Sequence, residues 1–157
     1  MTKLKSLSQL LPILAERRKA RKKIVFTNGC FDLLHVGHVR YLSQAKALGD
    51  ILVLGLNADR SVRKLKGRGR PLVSQAERAE VLAALESVNF IVLFGDATPE
   101  KLIRAIRPDV LVKGGDWKKE HIVGADLVES LGGSVRSLPF VRGRSTSALL
   151  RKIKNLA

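Results

Sequence analysis

The chain has one cysteine, Cys30, so no disulfide can close within it, and a reducing compartment, the cytoplasm, is expected. Aromatic residues make up only 4%, too few for the stacking platforms that grip single-stranded nucleic acid. Apolar runs stop at about six residues, far short of the ~20 that a membrane span needs. No apolar stretch is followed by a small-residue cleavage site, so no signal peptide is expected. The GxGxxG and GxxxxGK[ST] patterns are both missing. Nicotinamide-dependent and P-loop chemistry thereby lose their main support. Acidic residues are also short, 14 against 29 Lys and Arg. No carboxylate cluster reads as a metal cage, and no metal-ligating residue is assigned.

What remains is a basic chain of 157 residues with a formal charge of +15. The length suits one domain, 1–157, with residues 1–22 as an N-terminal helical extension. The excess charge lies in two clusters, Arg17–Lys23 and Arg63–Arg70. Such a field draws polyanions: nucleic acid, acidic membrane or polyphosphate ligands. The first cluster reads as a helix end whose cations offset the C-terminal dipole. The second is broken by glycines and reads as a mobile, phosphate-gripping loop over residues 60–71.

Apolar periodicity alternates between the two regular structures. Leu7, Leu10, Leu11 and Leu14 mark a helix over 7–19, capped by Ser6 or Ser8, with Pro12 blurring its first turn. Short apolar runs predict strands at 24–28, 51–57, 90–94, 109–113 and 134–138. Between them fall helices from the His-bearing turn to about Leu48, from Ser74 with Glu77 as a capping box and Ala79, Val81, Leu82 and Leu85 on one face, from Pro99 to Ile106, and over 119–131. A last helix covers 145–154. This alternation predicts a doubly wound α/β fold, a five-stranded parallel sheet of Rossmann-like design. Ligands of such sheets bind beyond the carboxyl ends of the strands.

One stretch carries most of the chemistry. Gly29-Cys30-Phe31-Asp32-Leu33-Leu34-His35-Val36-Gly37-His38 runs from the first strand into a helix, and it holds two of the three histidines. Free backbone N–H groups and the positive end of a helix dipole meet there, a place suited to phosphate. Imidazoles at that point can donate to a phosphorus centre gaining negative charge. Gly37 lets phosphates approach the helix backbone. Asn28 and Asp32 can orient the turn, or Asp32 can instead hold an acceptor hydroxyl. Cys30, with no base nearby in the chain, reads as a packed small residue. Lys66, and less so Lys64, suits a phosphate clamp. Lys113-Gly114-Gly115-Asp116-Trp117 would line a nucleoside pocket, although Trp117 could equally be an ordinary packed aromatic. Ser145 and Thr146, behind Gly143, open the last helix and can either cap it or bind phosphate.

The GxFDxxHxGH pattern resembles the signature of the cytidylyltransferase-like nucleotidyltransferases. Gly143 followed by Ser145-Thr146 resembles that family's second signature. The resemblance implies transfer of a nucleoside monophosphate from a triphosphate to a phosphorylated acceptor. It implies His35, His38 and Lys66 as catalytic residues. Asn28, Gly29, Phe31, Gly37, Arg78, Lys113, Gly114, Asp116, Gly143, Ser145 and Thr146 would hold the nucleotide, and Asp32 and Arg142 the acceptor. Thr27–Asp32, Leu65-Lys66-Gly67, Arg70-Pro71 and Leu111–Asp116 look like the adenylyltransferases of ADP-heptose synthesis. That likeness implies ATP and D-glycero-β-D-manno-heptose 1-phosphate as substrates, ADP-heptose and pyrophosphate as products, and a role in the inner core of lipopolysaccharide. It further implies Mg²⁺ with the ATP, a homodimer and a separate heptose kinase.

Arg142 and Arg144 flank Gly143 where related enzymes often carry an acidic residue, a departure that bears on the acceptor. Glycerol-3-phosphate cytidylyltransferases share both signatures and are the alternative enzyme reading. A basic nucleic-acid-binding module would explain the charge but leave both histidines without a role. A silent nucleotide sensor would keep the fold without turnover. Neither stable nucleic-acid binding nor membrane insertion is expected.

Overall fold

The computed structural model describes residues 2–115, 117–139, 143 and 145–156. The apolar runs form five strands: β1 (Ile24–Gly29), β2 (Ile51–Asn57), β3 (Phe90–Phe94), β4 (Val110–Gly114) and β5 (Ser134–Leu138). They pair in the order β3-β2-β1-β4-β5, every pair parallel. All seven residues of β2 are buried, as a strand covered on both faces requires. Side chains alternate between two core layers. Ile24, Phe26, Ile51, Val53 and Leu111 point into one layer. Val25, Leu52, Leu54, Leu56, Val110 and Val112 point into the other.

Helices close both layers. On the first lie α1 (Leu7–Lys19), α5 (Glu100–Ile106) and α6 (Ala125–Ser130), through Leu10, Leu14, Ile103, Ile106 and Val128. On the second lie α2 (Val36–Lys46) and α4 (Gln75–Ala83), through Leu42, Ala45, Ala79 and Leu82. Two further helices, α3 (Asp59–Lys66) and α7 (Thr146–Lys154), bury few residues or none and stand near the carboxyl ends of the strands. The chain steps outward from β1 to β2 and β3, then returns to place β4 on β1's other side. That reversal opens a crevice at the ends of β1 and β4, where such sheets take ligands.

Reciprocal capping boxes start α1, at Ser6 and Gln9, and α4, at Ser74 and Glu77. Pro12 lies inside α1 rather than at its first turn, on the exposed side, where its missing N–H costs least. The helix α1 packs into the core of the domain. Leu10 and Leu14 are fully buried. Lys5 N–H donates to Ile91 O, and Ile91 N–H to Lys3 O, both at 2.9 Å.

Three sequence expectations are corrected. Most of the 60–71 loop is the helix α3. Asp59 at its start and Arg63, Lys64 and Lys66 in its last turn complement its dipole. Only Ser61 and Val62 are buried in it, so apolar periodicity could not reveal it. The helix expected over 119–131 is a 3₁₀ turn, Lys119–His121, followed by α6. Gly124 breaks it at φ +84°, so close to Ile103 that a Cβ would lie 2.7 Å from Cδ1. Val81 is exposed, because the buried face of α4 is set by Arg78, Ala79 and Leu82.

Candidate active site

The His-bearing turn leaves β1 at Asn28 and Gly29 and enters α2 with His35 as its N-cap. Phe31 adopts a left-handed backbone, φ +46°, and is buried. A Cβ on Gly29 would lie 2.8 Å from the Phe31 ring, so the close packing of that ring depends on glycine at 29. The Phe31 ring lies 5.2 Å from the ring of His38. His38 in turn stacks on His35, with centroids 3.9 Å apart and planes 25° from parallel.

The two imidazoles have distinct surroundings. Nδ1 of His35 accepts the Gly37 N–H at 3.1 Å. In the neutral ring this leaves the proton on Nε2, a nitrogen able to donate to an anion. His38 is pushed down to about 4, mainly by burial and further by His35 beside it. Its Nδ1 is buried without a hydrogen-bond partner among the described residues. At neutral pH His38 is therefore uncharged, and the pair stacks without mutual repulsion. Gly37, the second residue of α2, is buried.

The second signature meets the first. Thr146 Oγ1 donates to Leu33 O at 3.4 Å, joining the start of α7 to the His-bearing turn. Ser145 is the N-cap of α7 and accepts the Ala148 N–H at 3.1 Å. A 280 Å³ cavity lies between the two, lined by His35, Gly143, Ser145 and Lys152 among others. Sequence reasoning missed Lys152. Its only signal was its place two turns beyond Ser145 on a strongly two-faced helix.

From the other side come β4 and α3. Lys113 is half-buried at the end of β4, and burial pulls its ammonium below the ordinary lysine value. Its Nζ stands 6.0 Å from the Trp117 ring, which is about half exposed, a cation–π approach. Gly114 follows it at the strand end. Lys66 is exposed at the end of α3, close enough to Cys30 to act on its charge. Burial dominates there and raises the Cys30 thiol, in keeping with a packed residue.

Two expected ligand-facing residues are instead turned inward. Arg78 is 1% exposed. Its Nε donates to Val73 O at 3.0 Å, one terminal nitrogen to Cys30 O, and the other to Asp59 Oδ1 at 2.7 Å. Asp32 is 4% exposed. Its Oδ1 accepts the N–H groups of Leu72 and Val73 at 2.8 and 3.0 Å, and its Oδ2 lies 2.7 Å from Nε of Arg70. With these partners, Arg78 does not face the crevice and Asp32 has little surface for an acceptor hydroxyl. In the sequence Arg70 reads only as part of the basic cluster and of the Arg70-Pro71 likeness, and Asp59 only as part of a turn; their ion pairs with Asp32 and Arg78 were not foreseen, since the partners lie far away in sequence. Asp116, Arg142 and Arg144 lie outside the described residues.

The remaining basic cluster is elsewhere. Arg18, Arg21, Lys22 and Lys23 line a 550 Å³ cleft with Asp109 and Ser134 at the amino ends of β1, β4 and β5. Arg18 there donates to the carbonyls of Ile106 and Arg107, which close α5. Cations at this end of the sheet offset helix C-termini.

Residues 26–141 match the cytidylyltransferase-like family. The chain is 56% identical over 151 residues to the bifunctional protein HldE of Geobacter metallireducens, covering 96% of this chain and 31% of that protein. It is 57% identical over 137 residues to that of Wolinella succinogenes, covering 87% and 28%. The chain thus spans about a third of the length of these curated relatives. Among solved structures, the lipopolysaccharide core biosynthesis protein of Thermoplasma volcanium superposes with a TM-score of 0.61 at 28% identity, covering 76% of this chain and 97% of that one. A pantoate–β-alanine ligase of Francisella tularensis, at 17% identity and a TM-score of 0.63 over 100% of this chain and 74% of its own, shares the fold.

Proposed function

From the premise that the chain belongs to the cytidylyltransferase-like family and is a nucleotidyltransferase, we propose that it moves the adenylyl group of ATP to D-glycero-β-D-manno-heptose 1-phosphate. An acceptor phosphate oxygen attacks the α-phosphorus, the bond to the β-phosphate oxygen breaks, and pyrophosphate leaves with that electron pair. The products are ADP-heptose and pyrophosphate, serving the inner core of lipopolysaccharide. No side-chain nucleophile is required. The work of the protein is alignment and neutralisation of charge.

In this reading His35 and His38 donate to the phosphates as charge develops, over the N-terminus of α2. Asn28, Gly29, Phe31 and Gly37 shape that turn. Lys66 approaches the phosphates from α3. Lys113, Gly114 and Asp116 border the nucleoside. Gly143, Ser145 and Thr146 sit against the leaving pyrophosphate, and Arg142 meets the acceptor. The carrying observation is the stacked histidine pair tied through Leu33 and Thr146 to the start of α7. The high identity to HldE proteins and the likeness to a lipopolysaccharide core biosynthesis protein support the acceptor.

Nucleotidyltransferases that use ATP generally need a divalent metal. Among the described residues no group of three or more His, Cys, Asp or Glu side chains could hold one. The Mg²⁺ of this reading comes with the triphosphate, whose charge it shields, as part of the substrate. No helix among the described residues is long and apolar enough to cross a membrane. We place the protein in the cytoplasm, as one nucleotidyltransferase domain and a homodimer, supplied by a heptose kinase.

Pyrophosphate release tests the reading, with ATP and CTP each crossed with heptose 1-phosphate and glycerol 3-phosphate. Turnover confined to ATP with heptose 1-phosphate is expected. Turnover with CTP and glycerol 3-phosphate would overturn the named substrates and keep the reaction class. Silence in all four would overturn both substrate assignments.

A further inference from the structure

Arg78 is the largest fully buried side chain in the described structure. An apolar residue would fill its place on the buried face of α4 without the cost of desolvating a guanidinium. The arginine instead joins three separate segments: Cys30 in the turn after β1, Val73 after the glycine-rich stretch, and Asp59 at the start of α3. Asp32 makes a second junction between the same regions through Arg70 and the N–H groups of Leu72 and Val73. The two arginines and two carboxylates balance in charge.

This arrangement holds the cationic segment at both ends. Asp59 fixes its start, and Arg70 to Val73 fix its finish. Between the anchors lie Lys64, Lys66 and Arg68, with Gly67 at φ +90° and Gly69 at φ +81°, each with open space where a Cβ would stand. The anchors thereby join both ends of the segment to the turn at Cys30 and Asp32, which leads to the stacked histidines.

We infer that Arg78 and Asp32 are positioning residues, which set the distance between the histidine pair and the Lys66 segment rather than touching substrate. The inference rests on the reading above, in which those groups meet the nucleotide. An error of about 1 Å in such a placement costs on the order of 10²-fold in rate. A residue that served stability alone would lower the melting temperature and leave kcat unchanged.

The test compares Arg78→Met, Arg78→Lys and Asp32→Asn in the full chain by two readouts. The first is kcat and KM for ATP from pyrophosphate release. The second is the NMR titration of His35 and His38 without substrate. Arg78→Met is expected to lower kcat about 100-fold with KM for ATP changed less than about threefold. Arg78→Lys, which keeps the charge but not the three-way reach, is expected to recover part of that loss. In both, and more weakly in Asp32→Asn, the His38 titration should move up from about 4 as the turn loosens. A folded Arg78→Met protein with wild-type kcat and an unmoved His38 titration would overturn the inference. If that variant does not fold, the same result in Asp32→Asn overturns it. Should the wild type turn over none of the proposed substrates, the substrate reading fails, while the titration still decides the positioning role.

Discussion

His38 is held between two rings, with Phe31 5.2 Å away at 58° and His35 stacked at 3.9 Å. This packing half-buries the imidazole, and burial keeps it neutral. It also makes the backbone at Gly29, which admits the Phe31 ring, part of the histidine's support.

Replacing either histidine should remove transition-state stabilisation more than substrate binding. His35→Ala and His38→Ala are each expected to lose about 10²–10³-fold or more in kcat, the scale for one preorganised donor. ATP affinity by calorimetry should change far less. Wild-type turnover in both variants would take the pair out of the mechanism.

The low proton affinity of His38 links pH to stability. Its value is about 4 in the folded protein against an ordinary 6.5, so between these limits the unfolded chain binds more protons. Stability contributed by the neutral ring is complete above about pH 6.5 and is lost as pH falls toward 4. Melting temperatures across pH 4–7 should therefore decline on the acid side, and less steeply in His38→Ala. Equal slopes in the two proteins would contradict this linkage.

Gly29→Ala should be costly for a residue at a strand end. The added Cβ would lie 2.8 Å from the Phe31 ring, and relieving that contact costs roughly 1–3 kcal/mol. Because Phe31 packs on His38, turnover is expected to fall along with stability. Denaturant unfolding and pyrophosphate release on one preparation would measure both. A variant as stable as wild type would show that the ring can move aside freely.

Leu14→Ala should separate stability from chemistry in the opposite sense. Leu14 is fully buried against the sheet face remote from the histidines, and its truncation should cost about 2–5 kcal/mol. The kcat of the folded variant should stay near wild type. An unchanged unfolding midpoint would mean that α1 is dispensable to the core.

Much of this protein could be read from local sequence. The five strands followed from short apolar runs bounded by turns, and β2, β3 and β5 began and ended where those runs do. The capping box at Ser74 follows from the hydrogen-bonding reach of residues three apart, while at α1 the sequence left the cap between Ser6 and Ser8 and the structure gives it to Ser6, paired with Gln9. His35 and His38 were brought together by a helix turn of four residues. Those features depend on neighbours in the chain, and local patterns report them.

Tertiary structure decided the rest. α3 was illegible because its support is electrostatic, and only Ser61 and Val62 are buried in it. The inward turn of Arg78 and Asp32 depends on partners far away in sequence, 48 residues to Cys30 and 40 to Leu72. No periodicity records which distant carbonyl or amide will be left needing a partner. The contact of Thr146 with Leu33 spans 113 residues and exists because the sheet order brings the ends of distant strands to one edge. The sequence by itself determined which residues carry the chemistry's signature. Packing alone determined which charged groups face the crevice and which are consumed in holding it, because burying a charge is tolerable only where the fold supplies its partners.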